Sequence, residues 1–281
     1  MLPVAAGRVI VLANDPNSST KEICEAIRGD PSLTARILRV VNSPYYGFHR
    51  RISTVAQAAV ILGTSEILGL VLGSSAVHAL SAHDRKSAER EAFWRHSACA
   101  AVAAKIAAAQ FRYRVSGVAF VAGLLHDAGK LVLSQQFPDE FRQAEERAAA
   151  GGMPLAAAER EVFGADHALV GGALAGRWAL PEELVQAIAF HHDPAHAAEA
   201  HALLVDVVHV ADWLACQRDN GRPAAQKALP LNEVTHARLR KVRVDFDASY
   251  LDKLLHDLDR EVEHSQHLLA ALGGRSDAAA G

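Results

Sequence analysis

"GLLHDAGKLVL", residues 123–133, decides the reading of this chain, because it ends an apolar segment on a histidine and an aspartate side by side. From Val118 to Leu125 nothing is charged, and Gly123 alone is not a good hydrophobe. A segment apolar all round is normally buried rather than laid on a surface. Carrying His126 and Asp127 into an interior requires partners, since an unsatisfied buried polar group costs roughly 2–7 kcal/mol. The candidate partners are a hydrogen-bond network, a catalytic acid/base pair or a metal.

On both sides of this stretch the helix signals recur, and no alternating strand pattern stands out. Ser19 followed by Glu22 has the form of a capping box. Asp30-Pro31 supplies an N-cap and a first helical residue for a helix that "NSP" at 42–44 stops. Ser53 and Thr64 open the next pair. Further helices are expected at about 88–111, 117–127, 130–136, 138–150, 155–162, 167–178, 181–192, 202–217 and 248–272. The fold class is therefore all-α; the two-lobed helical bundle also expected is what the family resemblance given below implies. Charged and polar seams at 81–91 and 216–233 divide it. The expected parts are an N-terminal helical lobe (1–80), a lobe holding His126 (81–217), a C-terminal helical extension (218–275) and a flexible tail (276–281).

Composition narrows the function classes. With 50% hydrophobic and 22% charged residues among 281, a sizeable core is available. A net charge of −3 lacks the basic excess of a nucleic-acid-binding domain, so no nucleic-acid partner is expected. The cysteines Cys24, Cys99 and Cys216 have no CxxC spacing and read as reduced, core-filling thiols. "VAAGRVIVLAND" carries Arg8 and lacks a basic leader and cleavage site. The longest uncharged run, Ile67 to His83, is shorter than the roughly 20 apolar residues a membrane span needs. A cytoplasmic location without membrane partners is the expectation.

Several helices carry polar residues beside small or apolar neighbours. His96 precedes an alanine-rich run whose small side chains let a neighbouring helix come close. Lys130 follows His126-Asp127 by one turn. His167 follows a candidate N-cap, Asp166, and His191-His192 close a helix. Asp206, His209 and Asp212 mark another at three-residue steps. Each has a plain reading taken singly: a hydrogen-bonded core histidine, a cation at a helix C-terminus, a solvated helix face, a surface lysine. Together, imidazole and carboxylate suit the first-row divalent metals zinc, iron, manganese and nickel. The spacings are too wide for a zinc-finger knuckle, which leaves a site assembled between helices of a bundle.

The order His96, His126-Asp127, Asp212 resembles the H…HD…D signature of the HD superfamily of metal-dependent phosphohydrolases. More closely, the chain resembles the HDOD family, the HD-related output domain of bacterial signalling proteins, over about residues 18–217. The words that carry the likeness are "DPSLTARILRVVNSPYYG", "ISTVAQAAVILG", "WRHS", "GLLHDAGKLVL", "EREVFGADHALVGGALAGRWALPEELVQAIAFHHDP" and "VHVADWLA". Similarity to the related HD-GYP phosphodiesterases of cyclic di-GMP implies that His96, His126, Asp127 and Asp212 bind one metal. The same similarity implies that His167, His191 and His192 bind a second and that Lys130 faces substrate phosphate. If the site is active, Lys130 and Asp127 are its catalytic residues. After His191-His192, however, the chain reads "DPAHAAEAH", with no Gly-Tyr-Pro loop, which sets the dinucleotide substrate in doubt.

These residues frame competing functions. The favoured one is a signalling output module with an HD-like metal pocket, acting mainly through contacts with a signalling protein partner, with a nucleotide or phosphate as ligand. The alternative is a metal-dependent phosphohydrolase of a nucleotide, cyclic dinucleotide or other phosphate ester, using a metal-bound hydroxide and Lys130. A DNA-binding regulator is set aside. "TVAQAAVILGTSEILGLVL" has helix-turn-helix spacing, but Ser65 to Ala79 offers Glu66 and no Arg, Lys, Asn or Gln to read bases or phosphates.

Overall fold

The computed structural model describes residues 3–15, 17–81, 88–218 and 230–272. The tail at 276–281, most of the charged break at 81–91 and the centre of the 216–233 loop lie outside the described residues.

Among the described residues the chain is helical, with no strand. The first helices are α1 (Val4–Asn14), α2 (Thr20–Arg28), α3 (Pro31–Val41), α4 (Val55–Leu62) and α5 (Thr64–Ser81). There follow α6 (Ala88–Gln110), α7 (Ser116–Leu125), α8 (Ala128–Gln136), α9 (Pro138–Gly151), α10 (Leu155–Phe163), α11 (His167–Arg177) and α12 (Glu182–Phe190). Single turns of 3-10 helix at Pro194–His196 and Glu199–His201 lead to α13 (Ala202–Arg218), α14 (Glu233–Val242) and α15 (Ala248–Leu272).

Local chemistry explains most of the helix ends. Ser19 and Glu22 form the expected capping box on α2, with the Ser19 N–H donating to Glu22 Oε2 at 2.8 Å. Asp30 caps α3 by accepting the Leu33 N–H at 2.9 Å. Asn42 then stops that helix. Its side-chain amide donates to the Leu38 and Ile52 carbonyls, and its oxygen accepts the Ile52 N–H, so residues 43–51 are folded back over the helix end. The cap of α4 is Thr54 rather than Ser53; the Ser53 N–H donates to Gln57 Oε1 instead. Two further helices, α1 and α14, join those expected from the pattern.

The core is one contiguous cluster of buried residues running from Ala6 to Val262. A small second cluster of Ala144, Ala148, Leu155 and Ala158 joins α9 to α10. Small residues set how closely the central helices approach. A Cβ on Gly117 of α7 would lie 2.4 Å from the Ser65 carbonyl oxygen of α5, so these two helices touch backbone to backbone. On the other side of α7, a Cβ on Gly123 would lie 2.5 Å from the Ala100 carbonyl oxygen. The alanine run after His96 therefore admits α7 at close range, as its small side chains predict. Among the described residues one stretch, Ser116–Gln136, is long and apolar enough to cross a membrane by length and composition. Its most apolar window is 78% buried inside the protein, so that apolarity serves the core.

A second buried polar cluster sits beside this contact. Glu66 of α5 accepts from Lys105 Nζ of α6 at 2.7 Å, from Tyr46 Oη at 2.8 Å and from Ser116 Oγ at 3.4 Å. The Lys105 ammonium lies over the rings of Tyr45 and Tyr46. This cluster ties the α3–α4 connection, α5, α6 and α7 together.

Candidate metal centre

The apolar helix α7 ends at His126, and Asp127 caps the start of α8, so the pair sits at a break between two buried helices. His96 arrives from α6, His167 from the first turn of α11, His191 and His192 from the end of α12, and Asp212 from α13. All the residues expected at the site converge. His96, His126, Asp127, His167 and His191 are each 2% exposed or less, which places the cluster inside the molecule.

Asp127 is the hub. Its Oδ2 faces His126 Nε2 at 3.5 Å and His96 Nε2 at 3.7 Å, while its Oδ1 faces His167 Nε2 at 3.2 Å and His191 Nε2 at 3.9 Å. The two oxygens thus serve different histidine sets. Asp212 Oδ1 lies 3.2 Å from His96 Nε2 and 3.4 Å from His126 Nε2. His192 Nε2 is 2.9 Å from His167 Nε2. Lys130 Nζ donates to Asp127 Oδ2 at 2.6 Å, one turn along α8.

The surroundings fix the imidazole tautomers. His126 Nδ1 donates to the Gly123 carbonyl at 2.7 Å and His191 Nδ1 to the Ile188 carbonyl at 2.8 Å. At His191 this leaves an Nε2 lone pair for the cavity, whereas at His126 burial is outweighed by Asp127 and Asp212, which raise it and favour a proton on Nε2 as well. His167 Nδ1 lies 2.5 Å from Glu159 Oε2, and the same carboxylate accepts the His167 backbone N–H at 2.8 Å. Glu159 is fully buried, and sequence reasoning missed it. Its stretch "AAAEREVF" looks like an ordinary amphipathic helix, and only the fold turns that residue towards His167.

Charges follow from these contacts. Burial opposes ionisation of Asp127, but His126, Lys130 and the bond to His167 outweigh it and hold the carboxyl well below its usual range. Asp212 is likewise held low against burial by its bonds to His126 and His96. Burial and Lys130 push His167 down, yet the Glu159 carboxylate and the bonds to Asp127 and Glu159 raise it to about 9. Burial, then the charges on His126 and His167, depress His191 to about 3. His192 is pushed well below its usual value by burial and by His191. The metal-free chain therefore holds neutral imidazoles at His191 and His192 beside ionised carboxylates.

The stripe on α13 separates into distinct roles. Asp206 is not on a solvated face: it is 1% exposed and accepts from Arg238 Nε at 2.7 Å and Thr235 Oγ1 at 2.5 Å, both from α14. His209 Nδ1 donates to the His191 carbonyl at 2.6 Å, and its Nε2 accepts the Asn232 N–H at 3.0 Å. It is a satisfied core histidine that steadies the His191 backbone. Asp212 alone of the three enters the cluster.

The residues present fit first-row divalent ions. Among the described residues His191 Nε2 is buried without a hydrogen bond, and His126 Nε2 and Asp127 Oδ1 have nothing better than the loose contacts to Asp212 at 3.4 Å and to His167 at 3.2 Å. Such orphaned groups call for an occupant. Ligand atoms of Asp127, His167, His191 and His192 lie within 4.8 Å of one another, as do those of His96, His126 and Asp127. Imidazole nitrogen and carboxylate oxygen are the donors that zinc, iron, manganese and nickel take.

The sequence pattern of the HDOD domain matches residues 1–194. The chain belongs to the HDOD domain family. Its fold is similar to that of an HDOD domain protein of unknown function from Geobacter sulfurreducens, with 26% identity and a TM-score of 0.78. That likeness covers 97% of this chain and 92% of the other. An uncharacterized protein of Treponema pallidum is 27% identical over 213 residues, which are 75% of this chain and 41% of that protein. Ribonuclease Y of Thermus thermophilus is 38% identical over 101 residues, 36% of this chain and 12% of the ribonuclease. The chain thus spans less than half the length of these curated relatives. The HDOD match stops before His209, Asp212 and Cys216, so the α13 wall of the centre lies beyond it.

Proposed function

We propose that this HDOD chain is a bacterial signalling output module in which Asp127 and its surrounding histidines would hold first-row divalent ions, coupling the arrangement of the helices to contact with a signalling protein partner. His96, His126 and Asp212 would hold the first ion with Asp127, and His167, His191 and His192 the second. The observation that carries this reading is the backbone contact of α5 with α7. Helix α7 ends in His126 and Asp127, so the N-terminal helices bear directly on the element that presents the central ligands. A ligand shifts such an arrangement only through a preference between two states, and a tenfold preference supplies about 1.4 kcal/mol.

A phosphohydrolase is the second reading, and the complete donor set with Lys130 beside it is what favours it. A bound ion would supply Lewis acidity and an activated water. Lys130, whose side chain is 20% exposed at the edge of the cluster, would counter charge on a phosphate. The segment shared with a ribonuclease places an RNA phosphodiester among the substrates to try.

The purified chain, loaded with manganese or iron, is assayed against cyclic di-GMP, linear nucleotides and an RNA oligonucleotide, beside Asp127→Ala. Hydrogen exchange of α5 is followed with and without metal. The module predicts metal-dependent protection in α5, lost in the variant, with little turnover. Turnover above about 1 s⁻¹ that vanishes in Asp127→Ala would promote the enzyme instead.

A further inference from the structure

One cysteine stands apart from the other two. Cys24 and Cys99 are buried in the apolar core, as the sequence suggests. Cys216 instead lies one helical turn after Asp212 on α13 and on the same face, with its Sγ 3.4 Å from Asp212 Oδ1. Sγ of Cys216, the Asp212 oxygen and a His96 ring nitrogen all fall within 4.8 Å of one another.

The spacings around Asp212 Oδ1 have the dimensions of a coordination sphere. His96 Nε2 is 3.2 Å away, His126 Nε2 3.4 Å and Cys216 Sγ 3.4 Å. Nitrogen and oxygen ligands about 2.05 Å from a four- or five-coordinate ion sit about 2.9–3.4 Å apart, and a sulfur at about 2.3 Å sits about 3.1–3.6 Å from such an oxygen. His126 Nε2, on a side chain with no exposure, makes no well-formed hydrogen bond among the described residues and only ionic contacts of 3.4 and 3.5 Å to Asp212 and Asp127, which points independently to an occupant at this place. Asp212, with 17% side-chain exposure, is on the open side of the cluster, and Cys216 lies on that side too.

We infer that Cys216 is a ligand of the ion held by His96, His126 and Asp212, making this half of the centre a thiolate-bearing site that selects zinc or ferrous iron over manganese. This rests on the metal centre proposed above and concerns its chemistry. The thiol loses its proton to solvent as the metal–sulfur bond forms, as ligating thiols do. A soft thiolate favours zinc and iron, whereas an all-imidazole and carboxylate set leaves manganese a better competitor. The other ion, among His167, His191 and His192, has no sulfur in its group. The two halves therefore differ in kind, one thiophilic and one not.

Cobalt(II) provides the test, since it substitutes for zinc and reports sulfur ligation by a thiolate-to-metal charge-transfer band in the near ultraviolet. The full chain is titrated with cobalt beside Cys216→Ser, Cys216→Ala and, as controls, Cys24→Ser and Cys99→Ser. Uptake is measured separately by equilibrium dialysis. The expected result is a charge-transfer band in the wild type and in both controls that is absent from both Cys216 variants, while those variants still take up cobalt. The ratio of zinc to manganese affinity should fall at least about tenfold in Cys216→Ser. Cobalt uptake by the wild type without the band, or a band that survives Cys216→Ser, would overturn the thiolate while leaving the metal centre standing. No cobalt uptake at all would remove the metal centre and the thiolate together.

Discussion

Two polar clusters are buried side by side in this apolar frame, and they are built on opposite terms. Around Glu66, the acceptors meet donors: Lys105, Tyr46 and Ser116 supply N–H and O–H groups to one carboxylate. Around Asp127 the supply is uneven: Lys130 and His167 donate to its two oxygens, while other ring nitrogens of the cluster are left over. His191, with its ring proton held on Nδ1 by the Ile188 carbonyl and burial keeping it neutral, turns an unpartnered Nε2 towards Asp127 Oδ1 at 3.9 Å. Burial and charge are common to the two clusters. What separates them is how fully the groups are satisfied: the Glu66 carboxylate meets three donors, while the Asp127 cluster keeps ring nitrogens with no well-formed hydrogen bond among the described residues.

That contrast is broken or sharpened by substitution. The largest effect is expected at the satisfied cluster. Glu66→Gln removes the partner of Lys105 and should cost about 3 kcal/mol, the low end for breaking a buried ion pair because Lys105 keeps some exposure. Urea unfolding measures this, and metal content should not change. Asp127→Ala should abolish metal binding. At a metal concentration about 100-fold above the dissociation constant, the wild type gains about 2.7 kcal/mol that the variant does not. Thermal melts with manganese and with a chelator show whether that gain exists; a wild type indifferent to metal would make the Asp127 cluster a second hydrogen-bond network.

Smaller effects grade the supporting residues. His209→Leu deletes the bonds to the His191 carbonyl and from the Asn232 N–H and should cost about 1–3 kcal/mol, the penalty for stranding buried polar groups. His209→Gln, which keeps a donor and an acceptor, should recover part of it in the same melts. Ser19→Ala removes the α2 cap, none of whose hydrogen bonds involves a residue of either cluster, and should cost about 1 kcal/mol. Metal-dependent stabilisation should be unchanged in that variant, and a loss there would mean the melts report global stability instead of the centre.

Features set by neighbouring residues were legible in the chain itself. The capping box at Ser19 and Glu22 and the Asp30-Pro31 start depend on neighbours a few positions away, so their pattern is enough. Helix α1 has no such mark: Pro3 stands at its N-cap and makes no side-chain bond, and its apolar run suits any buried element. The site histidines stood out as polar residues among apolar or small ones. Glu159 and Cys216 did not, because each is an ordinary residue of its helix until another element packs on it; Glu66 stood out as a lone charge, but its partners lie on other elements and were not legible. The α13 stripe misled for a geometric reason. A step of three residues turns about 300° around a helix, so Asp206 and Asp212 point about 120° apart and reach different neighbours.

The close contact at Gly117 has a mechanical consequence. Helix α7 spans 10 residues, about 15 Å at 1.5 Å per residue, with the α5 contact near its first turn and His126 just past its last. It is a short, stiff rod gripped by α5 at Gly117 and by α6 at Gly123, with two candidate ligands past its far end, so Gly117 acts as its pivot when the α6 contact gives. A tilt of about 5° about the pivot would move the far end by about 1.3 Å over that length. Metal–ligand bonds tolerate only a few tenths of an ångström, about 0.2 Å. Small rotations of the N-terminal helices are thereby geared up to displacements that a coordination sphere cannot absorb.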